Sequence, residues 1–271
     1  MVEETTVSLL ADLTNELRDD DSGLKDATLV GTDGGRVSAT KAVLAIRSQV
    51  FRKMFSGSFK EAREDCSVVN LDYPSVILRV VVEYCYTNKV NYEIIKGTNG
   101  PTDASAVMLV KLGFAMHYLG LLGTWNDGNY GGQSLFYFPS SACAVLPEIV
   151  SVEGLGKFYF YWIDYIVSNQ GRTLFPSDPK RHAGVIGLPL HLLEAIVTNA
   201  KLDAAIAVRA LQAWSATHEY TTEEERRSLQ KLADGIDVES LKTSQLANIE
   251  PCAFFTQNRL YNALVAAIKK T

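Results

Sequence analysis

The chain has few cysteines, and none of them is placed for metal binding. The four residues, Cys66, Cys85, Cys143 and Cys252, are far apart and form no Cys-x-x-Cys pair. Structural zinc sites and small disulfide frameworks both depend on grouped cysteines. The sequence therefore predicts no metal site and no disulfides. It also favours a reducing compartment, the cytoplasm or the nucleus.

Basic residues are fewer than acidic ones, and the sequence has no long apolar run. Lys and Arg number 26 against 31 Asp and Glu, which gives a net charge of −5. This balance disfavours partners bound mainly through phosphate or anionic lipid, so we expect no nucleic acid and no membrane. The apolar stretch at residues 184–197 contains His191 and Glu194 and is shorter than the ~20 apolar residues of a bilayer span. Residues 1–6 are acidic and polar, and we expect no secretory signal.

The remaining composition is that of an ordinary folded protein. Hydrophobic residues make up 47% and charged residues 21% of the 271 positions, as in typical soluble domains. At roughly 150 residues per domain, this length favours two domains. We place the first domain at residues 1–122, a Gly- and aromatic-rich insertion or linker at 123–147, and a helical domain at 148–271.

The first domain opens with an amphipathic helix and a β-hairpin. Leu10, Leu13 and Leu17 recur at helical spacing. A helix this short is not stable alone and must bury its apolar face on something. Residues 27–31 and 36–39 flank an Asp-Gly turn, which predicts two antiparallel strands.

Three polar residues of this domain are predicted helix caps. Thr40 and Ser48 precede two short helices that we expect to form a helical hairpin, and Asp72 precedes a longer helix. Residues 67–71 are predicted to form a third strand, and residues 104–119 another helix.

The second half of the chain is predicted to be helical throughout. An aromatic stripe from Phe158 to Trp162 has the spacing of a buried helix face, and we assign it to the core. Residues 123–139, between the halves, are too rich in glycine for a helix and unusually aromatic for a linker. Long loops of this kind are either functional or disordered.

Catalytic motifs are present only in fragments. Ser38 and Lys41 have the Ser-x-x-Lys spacing of serine acyl-enzymes, but the Ser-Asp-Asn motif that accompanies it is missing. The glycines of residues 31–35 lack the Gly-Lys-Ser/Thr of a phosphate-binding loop. The four histidines show no metal-ligand spacing. We therefore expect no enzyme, no cofactor and no metal, and a small-molecule enzyme is the third of three hypotheses.

Three segments in the same order resemble the BTB (POZ) domain family. They are residues 26–31, 41–55 and 84–90, and the resemblance extends over roughly residues 7–122. Residues 155–242 resemble the BACK helical region that often follows such a domain. The resemblance implies an α+β fold class, with a short mixed sheet and a helical cluster followed by an all-α BACK-like domain.

The resemblance also implies a homodimer. Members of the family dimerise through the N-terminal helix and the first helix of the domain, which places Leu10, Leu13 and Leu17 in the dimer interface. Asp26 and Lys41 match positions that form a charged pair in the dimer groove of relatives. The alternatives are intramolecular packing for the leucines and ordinary solvated charges for the other two residues.

A candidate cullin-binding motif follows the second predicted helix of the hairpin. Relatives that act as substrate adaptors of cullin-3 ubiquitin ligases carry a hydrophobic-x-Glu motif there, and this sequence has Phe59, Lys60 and Glu61. A buried Phe would supply contact area and a Glu would fix register. In the alternative, Phe59 folds back on the core. The candidate residues for an unknown client protein are aromatics of the insertion, Trp125, Tyr130 and Phe136.

The first two of the three hypotheses are interaction functions. In the first, it is a non-catalytic homodimeric interaction protein and a substrate adaptor of a cullin-3 ubiquitin ligase, which acts by holding client and ligase together. In the second, it is a homo-oligomeric scaffold for transcriptional or channel-type complexes and binds no cullin.

Overall fold

The computed structural model describes residues 12–13, 15–17, 23–56, 67–96, 102–121, 139–151, 156–219 and 222–270. The chain divides into two compact units, Met1–Tyr137 and Phe138–Thr271. Each unit is described by itself.

A three-stranded sheet forms one part of the N-terminal unit. Strands β1 (Ala27–Val30) and β2 (Arg36–Ala39) pair antiparallel, with Ala27 opposite Ala39, which confirms the predicted hairpin. Strand β3 (Ser67–Asn70) lies parallel to β1 on its other side, so the strand order is β2-β1-β3. Parallel neighbours need a long crossover connection, and here the chain between β2 and β3 contains two helices.

The hairpin turn depends on a glycine with a positive φ. Gly34 has φ 73°, a left-handed conformation that glycine adopts without steric cost. The turn is closed by the N–H of Gly31, which donates to the carbonyl of Gly35 at 2.9 Å. The Asp-Gly sequence was therefore a sound indication of the turn.

The other part of the N-terminal unit is a cluster of helices. Residues 12–13 and 15–17 are helical. Four longer helices begin and end close to the predicted positions: α1 (Lys41–Arg47), α2 (Gln49–Ser56), α3 (Ser75–Thr87) and α5 (Asp103–Tyr118). A short helix that was not predicted, α4 (Glu93–Lys96), lies between α3 and α5. Thr102 and Ser105 form a capping box at the start of α5.

Two of the predicted caps are wrong. Thr40 stands at the N-cap position of α1, but its hydroxyl makes no capping hydrogen bond. Helix α3 begins after Pro74 rather than at Asp72, and the carboxylate that bonds its first N–H comes from Asp33 in the hairpin turn. The prediction failed because tertiary contacts, not neighbouring residues, supply these hydrogen bonds. The third cap is confirmed, since Ser48 accepts from an N–H of α2.

The core of this unit lies between the sheet and α3. Its buried members include Leu29 of β1, Leu44 of α1, Phe51 of α2, and Ile77 and Val81 of α3. Burying a side chain of this size contributes roughly 1.5–3 kcal/mol. Helix α3 is enclosed on most of its surface and is the central element of the cluster.

The C-terminal unit is helical in all of its described residues with regular structure. Its α-helices, in chain order, are α6 (Ala142–Ser151), α7 (Gly156–Ser168), α8 (Gln170–Thr173), α9 (Leu190–Val197), α10 (Ala204–Thr217), α11 (Glu223–Gly235), α12 (Thr243–Leu246) and α13 (Gln257–Lys270). Short 3-10 turns occur at Pro139–Ser141, Gly184–Gly187 and Val238–Ser240. The α+β class is thus confirmed: a small mixed sheet with a helical cluster, then a helical region. Residues 139–147 of the span predicted as an insertion or linker lie in the first 3-10 turn and α6.

The aromatic stripe of α7 is only partly a core feature. Trp162 is buried, as predicted, and Tyr159 is half-buried. Phe160 and Tyr161, which lie between them in the sequence, are 73% and 51% exposed. A helix turns 100° per residue, so a run of five aromatics cannot keep all its members on one buried face. None of the described helices is long and apolar enough to cross a membrane.

Candidate interaction site

The fold brings Asp26 and Lys41 together through the backbone of Lys41. Asp26 directly precedes β1, and its Oδ1 accepts a hydrogen bond of 2.7 Å from the N–H of Lys41, the first residue of α1. A carboxylate at a helix N-terminus accepts from an N–H that has no partner within the helix. It also interacts favourably with the positive end of the helix dipole. Asp26 therefore caps α1 within its own chain. The charged pair in a dimer groove stays a prediction.

Two of the three N-terminal leucines contact the core of their own unit. Leu13 and Leu17 are half-buried and pack against the buried cluster around α3. The ammonium group of Lys25 donates to the carbonyl of Leu17 at 3.3 Å, which ties this helical segment to the chain entering β1. Since both side chains keep part of their surface exposed, a second copy of the chain could cover them, and the dimer interface stays a prediction.

The hairpin of α1 and α2 presents an apolar side chain to solvent. Ile46 is 72% exposed at the C-terminal end of α1. Ser48, between the two helices, is fully buried and fixes their connection: its hydroxyl donates to the carbonyl of Leu119 at 2.6 Å and accepts from the N–H of Phe51 at 3.1 Å. The exposed isoleucine therefore projects from a well-anchored hairpin.

Both ends of α1 are held by side chains from other elements. At its start, the N–H of Thr40 donates to the hydroxyl of the buried Tyr86 at 2.9 Å. At its end, Nε of Arg52 donates to the carbonyl of Ala45 at 3.0 Å. These bonds satisfy backbone groups that a helix leaves open at its termini.

A cation–π contact links the end of α1 to the end of α3. The guanidinium of Arg47 lies 5.4 Å from the ring centroid of Tyr84 and also bonds the side chain of Asn88. Beside it, burial raises the pKa of Cys85 to about 12, and Arg47 offsets only part of that effect. Since the thiolate is the reactive form of cysteine, this thiol is a packing group and not a nucleophile.

Seven of the predicted site residues lie outside the described residues. They are Leu10 of the leucine stripe, the motif residues Phe59, Lys60 and Glu61, and the candidate client-binding residues Trp125, Tyr130 and Phe136. The chain on either side of the motif is described: α2 ends at Ser56 and β3 begins at Ser67.

The described residues do not complete any of the partial catalytic motifs. Ser38 lies in β2 opposite Thr28 of β1. Within the described ranges, no three His, Cys, Asp or Glu residues are grouped so that they could hold a metal ion. Two histidines have structural contacts: His182 Nδ1 lies 2.9 Å from the hydroxyl of the buried Ser141, and His218 stacks on Trp214.

Sequence reasoning missed one exposed group of aromatic residues. Phe160 lies edge-on to Tyr159 with ring centroids 5.2 Å apart, and Tyr161 follows it on α7. Exposed aromatic side chains are enriched at the centres of protein interfaces. The signal available in the sequence was the length of the aromatic run, which exceeds what one buried helix face can hold.

Comparison with known families identifies the N-terminal part of the chain. Residues 14–116 match the family model of the BTB/POZ domain, and this part of the chain is a BTB/POZ domain. Such domains are protein–protein interaction modules that commonly self-associate and bind partner proteins. No curated protein matches the chain. The family model ends at residue 116, so the BACK-like character of residues 155–242 stays a prediction.

Proposed function

We propose that this protein is a non-catalytic, homodimeric substrate adaptor of a cullin-3 ubiquitin ligase, active in the cytoplasm or the nucleus. The BTB/POZ domain would bind a second copy of the chain and the cullin, and the BACK-like helical unit would carry a client. Ubiquitin transfer would belong to other subunits. The adaptor would act by raising the local concentration of client near the ligase.

The observation that carries the proposal is the position of the hydrophobic-x-Glu motif in the BTB/POZ domain. Phe59 follows the last residue of α2 by three positions, and the α1–α2 hairpin before it is anchored by the buried Ser48. Ile46 adds an exposed apolar group on the same hairpin. Aromatic residues are common members of interface hot spots.

Two further observations support parts of the proposal. Leu13 and Leu17 retain exposed surface on a helical segment that a dimer could bury. Cys85 and Cys143 are buried thiols, which is typical of proteins from reducing compartments.

A binding assay with the purified N-terminal region of cullin-3 tests the adaptor function. The full chain is compared with a Phe59→Ala/Glu61→Lys variant and with a matched control, Phe160→Ala/Glu224→Lys, which makes the same changes at exposed positions of the C-terminal unit. We expect the wild type and the control to bind, and the motif variant to bind at least tenfold more weakly, because hot-spot truncations typically cost about 2 kcal/mol or more.

The scaffold function predicts a different result in the same assay. A dimer that binds no cullin, or that binds it equally well with and without the motif, would contradict the adaptor proposal. In the first of these cases the homo-oligomeric scaffold becomes the better account.

A further inference from the structure

The α1–α2 hairpin carries basic residues and no acidic ones. The sequence has no acidic residue between Asp33 and Glu61, although the whole chain has 31 acidic and 26 basic residues. The basic residues of this stretch are Arg36, Lys41, Arg47, Arg52, Lys53 and Lys60. Arg52 and Lys53 are exposed on α2, and neither forms an ion pair within the described part of the chain. A surface of one charge attracts partners of the opposite charge.

Arg52 is fixed against the C-terminal end of α1. Its Nε donates to the carbonyl of Ala45 at 3.0 Å, and its Nη2 donates to the carbonyl of Ile46 at 3.4 Å. Both donors lie on one edge of the planar guanidinium, which has five N–H groups. The free end of the guanidinium, made of Nη1 and the second N–H of Nη2, has no hydrogen-bond partner among the described residues. Arg52 therefore offers a fixed pair of unused donors.

A carboxylate is the anion that fits the free end of Arg52 best. Two parallel N–H groups of a guanidinium bind both oxygens of a carboxylate. Because α1 already holds the guanidinium in place, the side chain loses less conformational freedom on binding. The carbonyl end of α1 is also the negative end of its helix dipole, which disfavours a more highly charged anion such as phosphate.

An exposed apolar side chain lies next to Arg52. Ile46 is 72% exposed, and its carbonyl is one of the two that bond the guanidinium. A single exposed isoleucine is ordinary on a protein surface, so the fixed cation beside it is the distinguishing feature. Gln49 precedes Arg52 by three positions and Lys53 by four, so these three side chains share one face of α2. We refer to Ile46, Gln49, Arg52 and Lys53 as the hairpin patch. All four residues are exposed and none is acidic.

We propose that the hairpin patch binds an acidic segment of a partner protein. An Asp or Glu of that segment would accept two hydrogen bonds from the free end of Arg52, and a neighbouring apolar residue would cover Ile46. Lys53 would attract further acidic residues, which speeds the encounter more than it strengthens the complex. The proposal rests on the role of the BTB/POZ domain as a module that binds partner proteins. It does not require that the partner is a cullin.

A displayed library of random 12-residue peptides, selected on the full chain, tests the proposal. We expect it to enrich peptides that carry Asp or Glu beside an apolar residue. Arg52→Lys keeps the charge but loses the paired donors, and Ile46→Ser removes the apolar contact. We expect each variant to weaken the binding of the enriched peptides about three- to tenfold, because each removes one recognised group of the patch. Thermal unfolding of each variant checks that the domain is folded.

Charge reversal is the decisive comparison, because a control with the same net charge exists. Arg52→Glu/Lys53→Glu is expected to weaken the binding of the enriched peptides at least about tenfold. Lys180→Glu/Lys231→Glu makes the same change in net charge at exposed positions of the C-terminal unit, and it should keep the peptides bound. No acidic pattern among the enriched peptides, an equal loss in the two double variants, or unchanged binding in both Arg52→Lys and Ile46→Ser would overturn the proposal.

The cullin assay separates this proposal from the adaptor function. A chain that selects acidic peptides through Arg52 but binds no cullin contradicts the adaptor function alone. A chain that binds the cullin through Phe59 and Glu61 but selects no acidic peptide contradicts the hairpin proposal alone.

Discussion

At the start of α1, the hydroxyl of Thr40 makes no capping hydrogen bond, and two distant residues accept from the N–H groups of Thr40 and Lys41. The N–H of Thr40 donates to the hydroxyl of Tyr86, 46 positions later, and the N–H of Lys41 donates to Asp26, 15 positions earlier. The hydroxyl of Thr40 is itself buried without a partner in the described part of the chain. A single buried phenol thus connects the entry of α1 to the middle of the core.

Removing that phenol oxygen should destabilise the protein more than its size suggests. Tyr86→Phe leaves the ring in place but deprives the N–H of Thr40 of its acceptor. This N–H is part-buried, so we place the cost in the lower part of the roughly 1–3 kcal/mol of a buried unsatisfied donor. We expect the free energy of unfolding in urea to fall by about 1–2 kcal/mol, together with faster amide hydrogen exchange at Thr40.

The control for this substitution is Tyr118→Phe, which removes a hydroxyl from a ring that is 58% exposed. It should leave the unfolding midpoint within experimental error. An equal loss of stability in the two variants would show that the Tyr86–Thr40 bond contributes nothing specific.

At the scale of the elements, the hairpin turn and α3 are joined by a single carboxylate. Asp33 accepts from the N–H of Ser75 at 3.1 Å, from its hydroxyl at 2.8 Å and from the N–H of Gly35 at 3.1 Å. The hydrogen bonds from Ser75, first from its side chain and then from its backbone, lower the pKa of Asp33 below its ordinary value of 3.8. A side chain at position 35 would overlap Ser75, so only glycine allows this approach.

The lowered pKa predicts a pH-dependent contribution to stability. A carboxyl group whose pKa is lower in the folded state stabilises it above the unfolded pKa, and this contribution is lost as the pH falls through the folded pKa. Asp33→Asn resembles the protonated group. We expect it to lower the melting temperature at pH 7, and the difference from the wild type to shrink as the pH falls below 3.8 and through the lowered pKa of Asp33 in the folded protein.

Asp72→Asn provides the matched control, because the sequence predicted Asp72 as the cap of α3 and the structure does not use it. Melting curves of the three proteins between pH 2.5 and 7 are the measurement. A pH-independent deficit in Asp33→Asn, or an equal effect of Asp72→Asn, would contradict the role assigned to Asp33.

The elements themselves were largely predictable from the sequence, whereas their connections were not. The alternation around the Asp-Gly turn gave β1 and β2, and the helical period of apolar residues gave α1, α3 and α5, because both signals lie within a few neighbouring residues. The cap by Asp33 acts across 42 positions. It depends on the parallel pairing of β1 and β3, which no local pattern contains.

The candidate sites also combine features that the sequence predicted with features that depend on tertiary contacts. The family resemblance predicted a charged pair between the side chains of Asp26 and Lys41. Within the chain, the structure shows a different contact: the carboxylate of Asp26 accepts a hydrogen bond from the backbone N–H of Lys41. The exposure of Phe160 and Tyr161 on α7 was not predicted, because it depends on which face of the helix packs against the rest of its unit.

At the scale of the whole molecule, the exposed parts of Leu13 and Leu17 carry the prediction of self-association. Leu13→Asp/Leu17→Asp should halve the mass measured by light scattering, because two charges cannot be desolvated in an apolar interface. Both leucines also contact their own core, so the thermal stability of the monomer should fall as well.

The matched substitution is Leu24→Asp, at a leucine that is 66% exposed. It should leave the mass unchanged. If the double variant loses stability but keeps the wild-type mass, the leucines serve intramolecular packing alone.

Sedimentation equilibrium of the full chain, alone and mixed with the N-terminal region of cullin-3, tests the central claim most directly. Our account predicts a mass of two chains for the protein alone and of two chains with two cullin fragments for the mixture. A mass of one chain at every concentration, with or without the cullin fragment, would contradict it.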